Sequence, residues 1–240
     1  MKILYAGDSA AGGAANYLLG ILRSLRAEVT HVPPSKKLIP PLVKNRFDAF
    51  ILSDMPATQV LLAAQRNIVR QVEDGAGLLM IGGWASFSGP FGRWRGTLIE
   101  KILPVTCLGR DDRLSFPSGA HIVVKEKHPS LFSLSFENPP VICGANEIRA
   151  KKNSRLILAV RKTIRVGDRL MLDPVEYPLL VTDPLKRIAA FATDLAPHWC
   201  GGLVDWGRTH IKLPVAGKIQ IEVGVTYIRF VQSLVRWVVG

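Results

Sequence analysis

Short apolar runs that stop abruptly at small or acidic residues, each followed by helical spacing, constrain this chain more than any other feature. Lys2-Ile3-Leu4-Tyr5-Ala6 breaks at Gly7-Asp8-Ser9, and Tyr17, Leu18, Leu19, Ile21, Leu22 and Leu25 then recur as one face of a helix. Glu28 to Val32 reads as a second strand, stopped by Pro33-Pro34, and Phe47 to Leu52 as a third that delivers Ser53-Asp54. Thr58 is a suitable N-cap for a helix carrying Leu61, Leu62, Ile68, Val69 and Val72, with Gly75 as its stop. The next run, Gly77 to Ile81, is apolar without alternation and ends in Gly82-Gly83-Trp84. Strands of that kind are covered on both faces. Alternating with helices they require βαβ crossovers, so the expected fold is α/β, a doubly wound, mostly parallel, flavodoxin-like sheet.

The second half adds material to that sheet. Asp111 to Asn138 is rich in Pro, Ser and charge and reads as loops with one or two extra strands. Arg155 to Val160, Tyr177 to Val181 and Arg187 to Ala192 are further strand candidates, and Tyr227 to Val239 has helical spacing. With 240 residues, 48% hydrophobic and 21% charged, the chain can bury a sizeable core, which excludes intrinsic disorder. No linker or repeat interrupts it, so residues 1–240 are expected to form one domain. No run reaches the ~18 apolar residues of a membrane span, and Ile3 to Ala6 is too short for a secretory leader. A cytoplasmic protein without membrane association is expected.

Cys107, Cys143 and Cys200 are odd in number and widely spaced, as expected of buried thiols in a reducing compartment. With no CxxC or HExxH spacing, no metal site is expected. His31 and His121 fall in strands, His210 in a loop, and His128 before a proline turn. The stretch Gly7 to Ala15 lacks the lysine of a phosphate loop and the GxGxxG pattern, so no cofactor is expected. Ser86 is not in a GxSxG elbow, because Trp84 takes the first glycine position.

In open α/β sheets ligands bind beyond the carboxyl ends of the strands. That rule selects Asp8, Ser9, Ser53, Asp54, Gly82, Gly83, Trp84, Ser86 and Trp199 as ligand-binding candidates. Asp194 and His198 are the catalytic candidates, an imidazole and a carboxylate after one strand. Each aspartate alone also fits a helix cap or turn; their convergence at one edge points to a site.

Several of these strings carry a resemblance: Ala6-Gly7-Asp8-Ser9, Phe47-Asp48 through Asp54, Gly82-Gly83-Trp84-Ala85-Ser86-Phe87, Gly92-Arg93-Trp94 and Gly96-Thr97. In the second half they are His128-Pro129, Gly144-Ala145-Asn146, and Thr193 to Trp199 with Trp206. The chain resembles the glutamine-amidotransferase-like proteins, neighbours of the trehalose-utilisation-protein family within the class I glutamine amidotransferase-like fold. The resemblance implies that fold over nearly the whole chain. It also implies a nucleophile position at the turn after the strand Gly77 to Ile81, at about Trp84. An indole cannot attack an amide. The Pro197-His198-Trp199 setting also differs from the family's His-Pro-Glu pattern.

Three functional readings follow. A binding domain without glutaminase chemistry would hold a small polar metabolite, with Trp84 and Trp199 stacking on it and the carboxylates taking its hydroxyls. A different enzyme would use His198 with Asp194 or Asp54 as an acid/base pair. A third reading starts from the net charge of +12. Arg149 to Arg169 holds eight basic residues against Asp168 alone, and Arg149, Lys151, Lys152, Arg161, Lys162 and Arg165 could bind nucleic acid or another polyanion. A solvated strand edge explains the same charges and is favoured over nucleic acid. Such a segment could also meet a second subunit in a homo-oligomer.

Overall fold

The computed structural model describes residues 1–9 and 13–240. Residues 10–12, in the middle of the glycine-rich stretch, lie outside the described residues. The first half contains β1 (Lys2–Gly7), α1 (Ala14–Ser24), β2 (Glu28–Val32), β3 (Ala49–Ser53), α2 (Leu62–Glu73), β4 (Gly77–Ile81), α3 (Leu98–Ile102), β5 (Val105–Thr106) and β6 (Arg113–Val124). The second contains β7 (Val141–Asn146), β8 (Arg149–Ala150), β9 (Arg155–Val166), β10 (Arg169–Leu172), β11 (Tyr177–Thr182), β12 (Ile188–Phe191), α4 (Pro197–Val204), β13 (His210–Ala216), β14 (Ile219–Gly224) and α5 (Val225–Val239).

The central sheet runs β2-β1-β3-β4-β12-β11-β9-β6-β7, with β10 attached to β9. From β2 to β12 every neighbour is parallel; from β12 onward every pairing is antiparallel. The βαβ pattern of the first half therefore produces the expected wound sheet, and the second half supplies the extra strands. All five residues of β3 and of β4 are buried, as non-alternating apolar runs require. Helices α1 and α5 pack together, as do α2 and α3. Gly77 is needed where α5 crosses β4, since a Cβ there would collide with the Val238 backbone.

Three local expectations are corrected. Thr58 does not cap α2: it sits in a short 3-10 turn, and α2 starts at Leu62. Backbone bonds tie this segment to Leu38, whose N–H donates to Gln59 O (2.7 Å) and whose O accepts from Leu61 N–H (3.1 Å), so Val60 and Leu61 are held extended between the turn and α2. His210 begins a strand of the β13–β14 hairpin rather than lying in a loop. Cys143 is exposed, because it points away from the core on β7, whereas Cys107 and Cys200 are buried.

Candidate functional site

Register puts the site together. Gly7 is paired with Ser53, Ser53 with Ile81, and Ile81 with Phe191, so β1, β3, β4 and β12 end in one row. With neighbouring strands ~4.8 Å apart, the residues that follow each end must share one rim. Asp8, Asp54, Gly83 and Asp194 do so. They border a cavity of about 430 Å³ together with Trp84 and His198, with Ala14 and Leu18 of α1 as an apolar wall.

The backbone at this rim is unusual. Gly7 (φ +116°), Asp8 (+38°), Asp54 (+50°) and Gly83 (+150°) all have positive φ. For the two aspartates this is an uncommon conformation of the kind that clusters at functional sites. Gly7 cannot be replaced without movement, because a Cβ would enter the Ser53 carbonyl. The same close approach lets Asp8 N–H donate to Ser53 O (2.8 Å).

Three carboxylates result, and burial dominates the chemistry of each. Desolvation pushes Asp8 up to about 7, although the Tyr5 hydroxyl donates to its Oδ2 at 2.5 Å and Ser53 also offsets part of the shift. Asp194 is likewise raised to about 7 by burial, with Cys200 lowering it and the Asp8 charge raising it. Its Oδ1 has no hydrogen-bond partner. Asp54 is raised too, partly offset by Ala85 N–H (2.5 Å to Oδ1) and by His198. Asp8 and Asp194, titrating near neutrality, can accept or donate hydrogen bonds to a ligand, or move a proton.

Trp84 is 41% exposed, and its ring centroid lies 6.1 Å from that of His198. The Arg113 guanidinium covers the indole at 4.4 Å and is itself held by Asp111 (2.7 Å). His198 is exposed at the start of α4. It shares the cavity with Asp194, but no hydrogen bond joins the two among the described residues; the backbone N–H groups of Ala196 and Trp199 are what favour the Asp194 carboxylate from its own loop.

Four ligand-binding candidates belong to the frame instead. Ser86 is buried and its hydroxyl is saturated, donating to Ile81 O (2.5 Å) and accepting from Asp54 N–H (3.0 Å). Ser53 is buried, with its carbonyl bound to Asp8. Gly82 N–H donates to Phe191 O (2.7 Å), which closes the β4–β12 gap. Trp199 is 9% exposed and packs so tightly on Gly144 that a Cβ there would strike the indole. Ser9 is exposed beside Asp8, and its carbonyl accepts from Ala15 N–H (3.3 Å).

Two further residues control the Gly83-Trp84 turn. Asn146, buried at the end of β7, accepts from Gly83 N–H (2.9 Å) and donates Nδ2–H to Gly83 O (3.2 Å) and to Asp112 Oδ1 (2.7 Å). Buried Asp112 also accepts from Ser88 N–H (2.7 Å), and burial raises it to about 6. Asn146 stood in the Gly144-Ala145-Asn146 string, but nothing in its spacing pointed to Gly83.

Among the described residues no thiol borders the cavity. Cys200 follows His198 closely, yet its Sγ–H turns inward to Ala196 O (3.1 Å), and burial holds its pKa well above the usual thiol range. Cys107 is pushed up similarly by burial and Glu100. His128 is structural: it is buried, its Nδ1 meets the Ser130 hydroxyl at 2.8 Å, and burial lowers it to about 4. Among the described residues no group of His, Cys, Asp and Glu has metal-binding geometry.

Much of the basic segment is engaged within the chain. Lys151 donates to the carbonyls of Glu100 (2.9 Å) and Lys101 (3.0 Å), Lys162 pairs with Asp173 (3.1 Å), and Arg165 pairs with Asp168 (3.3 Å). Arg161 donates to Asp173 O (2.7 Å) and Leu172 O (3.2 Å). Arg149 and Lys152 are exposed.

A mixed sheet whose parallel strands end in one row, the Gly83-Trp84 turn after β4 and His198 at the start of α4 have the arrangement of a class I glutamine amidotransferase-like α/β fold. The family model described as "Putative glutamine amidotransferase" matches residues 8–213, and the chain belongs to that family. Among solved structures it is similar to a cytoplasmic protein, STM1381, from Salmonella typhimurium LT2, with 27% identity and a TM-score of 0.67 over 83% of this chain and 90% of that one. A second Salmonella typhimurium cytoplasmic protein, STM3548, shares the fold at 24% identity and TM-score 0.66, again over 83% and 90% of the two chains. A ThuA-like protein from Bacteroides uniformis shares it at 13% identity and TM-score 0.59, over 99% and 91%. No curated protein matches the chain. No helix among the described residues is long and apolar enough to cross a membrane.

Proposed function

We propose that this protein is an amidotransferase-like domain without the cysteine nucleophile, and that its rim cavity binds a small, hydroxyl-rich metabolite. One observation carries the reading: three carboxylates, two of them raised to about 7, converge beneath an exposed indole in a cavity bordered by no thiol among the described residues. Carboxyl groups poised between acceptor and donor suit hydroxyls, and the Trp84 face suits a sugar-like ring. The cavity volume matches a small-molecule site. Glutaminase chemistry would need a nucleophile at the elbow, where Gly83 and Trp84 stand.

The test is saturation-transfer NMR against a panel of monosaccharides, disaccharides and polyols. Ligands that bind the native protein and quench its fluorescence should lose both effects with Trp84→Ala. Unchanged binding in that variant removes the pocket from consideration, and cysteine-dependent glutaminase activity overturns the reading altogether.

A second reading is supported by His198 standing in the same cavity as Asp8 and Asp194, whose protonation near neutrality suits proton transfer. On that reading a metabolite is converted, and His198→Ala abolishes turnover while leaving ligand binding and the fold intact.

A further inference from the structure

The rim cavity runs against the charge of the chain around it. The net charge is +12, yet Asp8, Asp54 and Asp194 border this cavity and, among the described residues, no Lys or Arg does. Buried carboxylates are ordinarily paired with a cation or bound by several donors. Here the hydrogen bonds come from neutral groups: the Tyr5 hydroxyl donates to Asp8 Oδ2 (2.5 Å) and Ala85 N–H to Asp54 Oδ1 (2.5 Å). Asp194 Oδ1 is buried and receives none.

The elements packed around the carboxylates do not supply the countercharge. Burial keeps Tyr5, Tyr227 and Cys200 protonated and neutral. His198 offsets part of the Asp54 shift, but the groups acting most on Asp8 and Asp194 include no positive charge, and Asp8 repels Asp194. Arg113, stacked on Trp84, borders a neighbouring cavity of about 310 Å³ and is held by Asp111 (2.7 Å). A positive charge that enters with the ligand would meet all three carboxylates. Among the described residues they have no metal-binding geometry, whereas about 430 Å³ has room for an organic body. Trp84 adds an aromatic wall, a surface that itself attracts cations.

We infer that the ligand of the rim cavity carries an aliphatic ammonium group seated among Asp8, Asp54 and Asp194, which makes it an amino sugar or amino polyol. This rests on the reading that the cavity holds a hydroxyl-rich metabolite, and adds that metabolite's charge. An alkyl ammonium keeps its own proton through pH 8, as a lysine amine does. It favours the ionised carboxyls, so their protons leave as it binds. With Asp8 and Asp194 both near 7, up to about one proton is released at pH 7, and affinity rises with pH through that range.

The test is titration calorimetry of the native chain with two matched pairs: glucamine with glucitol, and methyl glucoside aminated at its primary carbon with the unmodified glucoside. In at least one pair the amine should bind at least about tenfold more tightly than its parent at pH 8, and that preference should shrink as the pH is lowered to 6. Two buffers of different protonation enthalpy should reveal proton release with the amine at pH 7. Asp194→Asn, checked for its fold by circular dichroism, should cut the preference at least about threefold. Parents that bind as tightly as their amines overturn the ammonium and leave the hydroxyl-rich reading standing. Tighter binding of phosphorylated glucose than of either amine does the same, as does a folded Asp194→Asn variant with the native preference. If none of the four binds, the ammonium falls, and the hydroxyl-rich reading is decided by its own panel of neutral sugars.

Discussion

Replacing Asp194 with asparagine should make the protein more stable at neutral pH, although it deletes a residue of the site. Burial moves this carboxyl from 3.8 to about 7, so the folded protein holds its proton more tightly than the unfolded chain. At 1.36 kcal/mol per unit the full displacement amounts to at most about 4 kcal/mol. Asp194 keeps some opening to the cavity and shares its repulsion with Asp8, which leaves about 1–3 kcal/mol to be recovered. The sign follows from linkage: with the folded value raised, the contribution of Asp194 to stability is fully present below about pH 4 and is lost as pH climbs through about 7. Asp194→Asn should therefore match the native protein near pH 4 and exceed it at about pH 8, with a flatter profile between. For a chain of this size the gain corresponds to a midpoint rise of roughly 3–10 °C, measurable by calorimetry at the two pH values. A variant less stable than native at the higher pH, or one with an unaltered pH profile, would refute burial as the origin of the shift.

Asn146→Ala should destabilise by about 2–4 kcal/mol, because Gly83 N–H and both buried partners lose their bonds, and urea unfolding would register it as a lower midpoint. The loss should exceed that of Ser9→Ala, at an exposed position. On heparin the protein should elute with a shallow dependence on salt, since Lys151, Arg161, Lys162 and Arg165 are engaged internally; a slope of several units would restore the polyanion reading.

The parallel half of the sheet was legible because local and global preferences coincide there. Gly77 to Ile81 is an apolar run with no alternation, and a position covered on both faces is the only place it fits. Rim residues were legible for the same reason: strand ends in a wound sheet converge whatever the loops do. Their division of labour was not. Ser86 and Trp84 sit two apart in one string, yet one is saturated by Ile81 and Asp54 and the other open, a distinction set by tertiary partners. The helix expected from Thr58 was displaced by bonds to Leu38, a contact that helix spacing does not encode. Asn146 reaches Gly83 across 63 positions of chain, beyond the range of any motif.

That last contact joins halves of different construction. Gly83 closes a strand of the parallel block, and Asn146 closes one of the antiparallel block, while the Tyr227 hydroxyl of the final helix fastens Leu195 at the floor (2.6 Å). Residues bordering the cavity run from Asp8 to His198, so neither half of the chain by itself contains it. The cavity therefore exists only where strands from both blocks and the final helix are in place together.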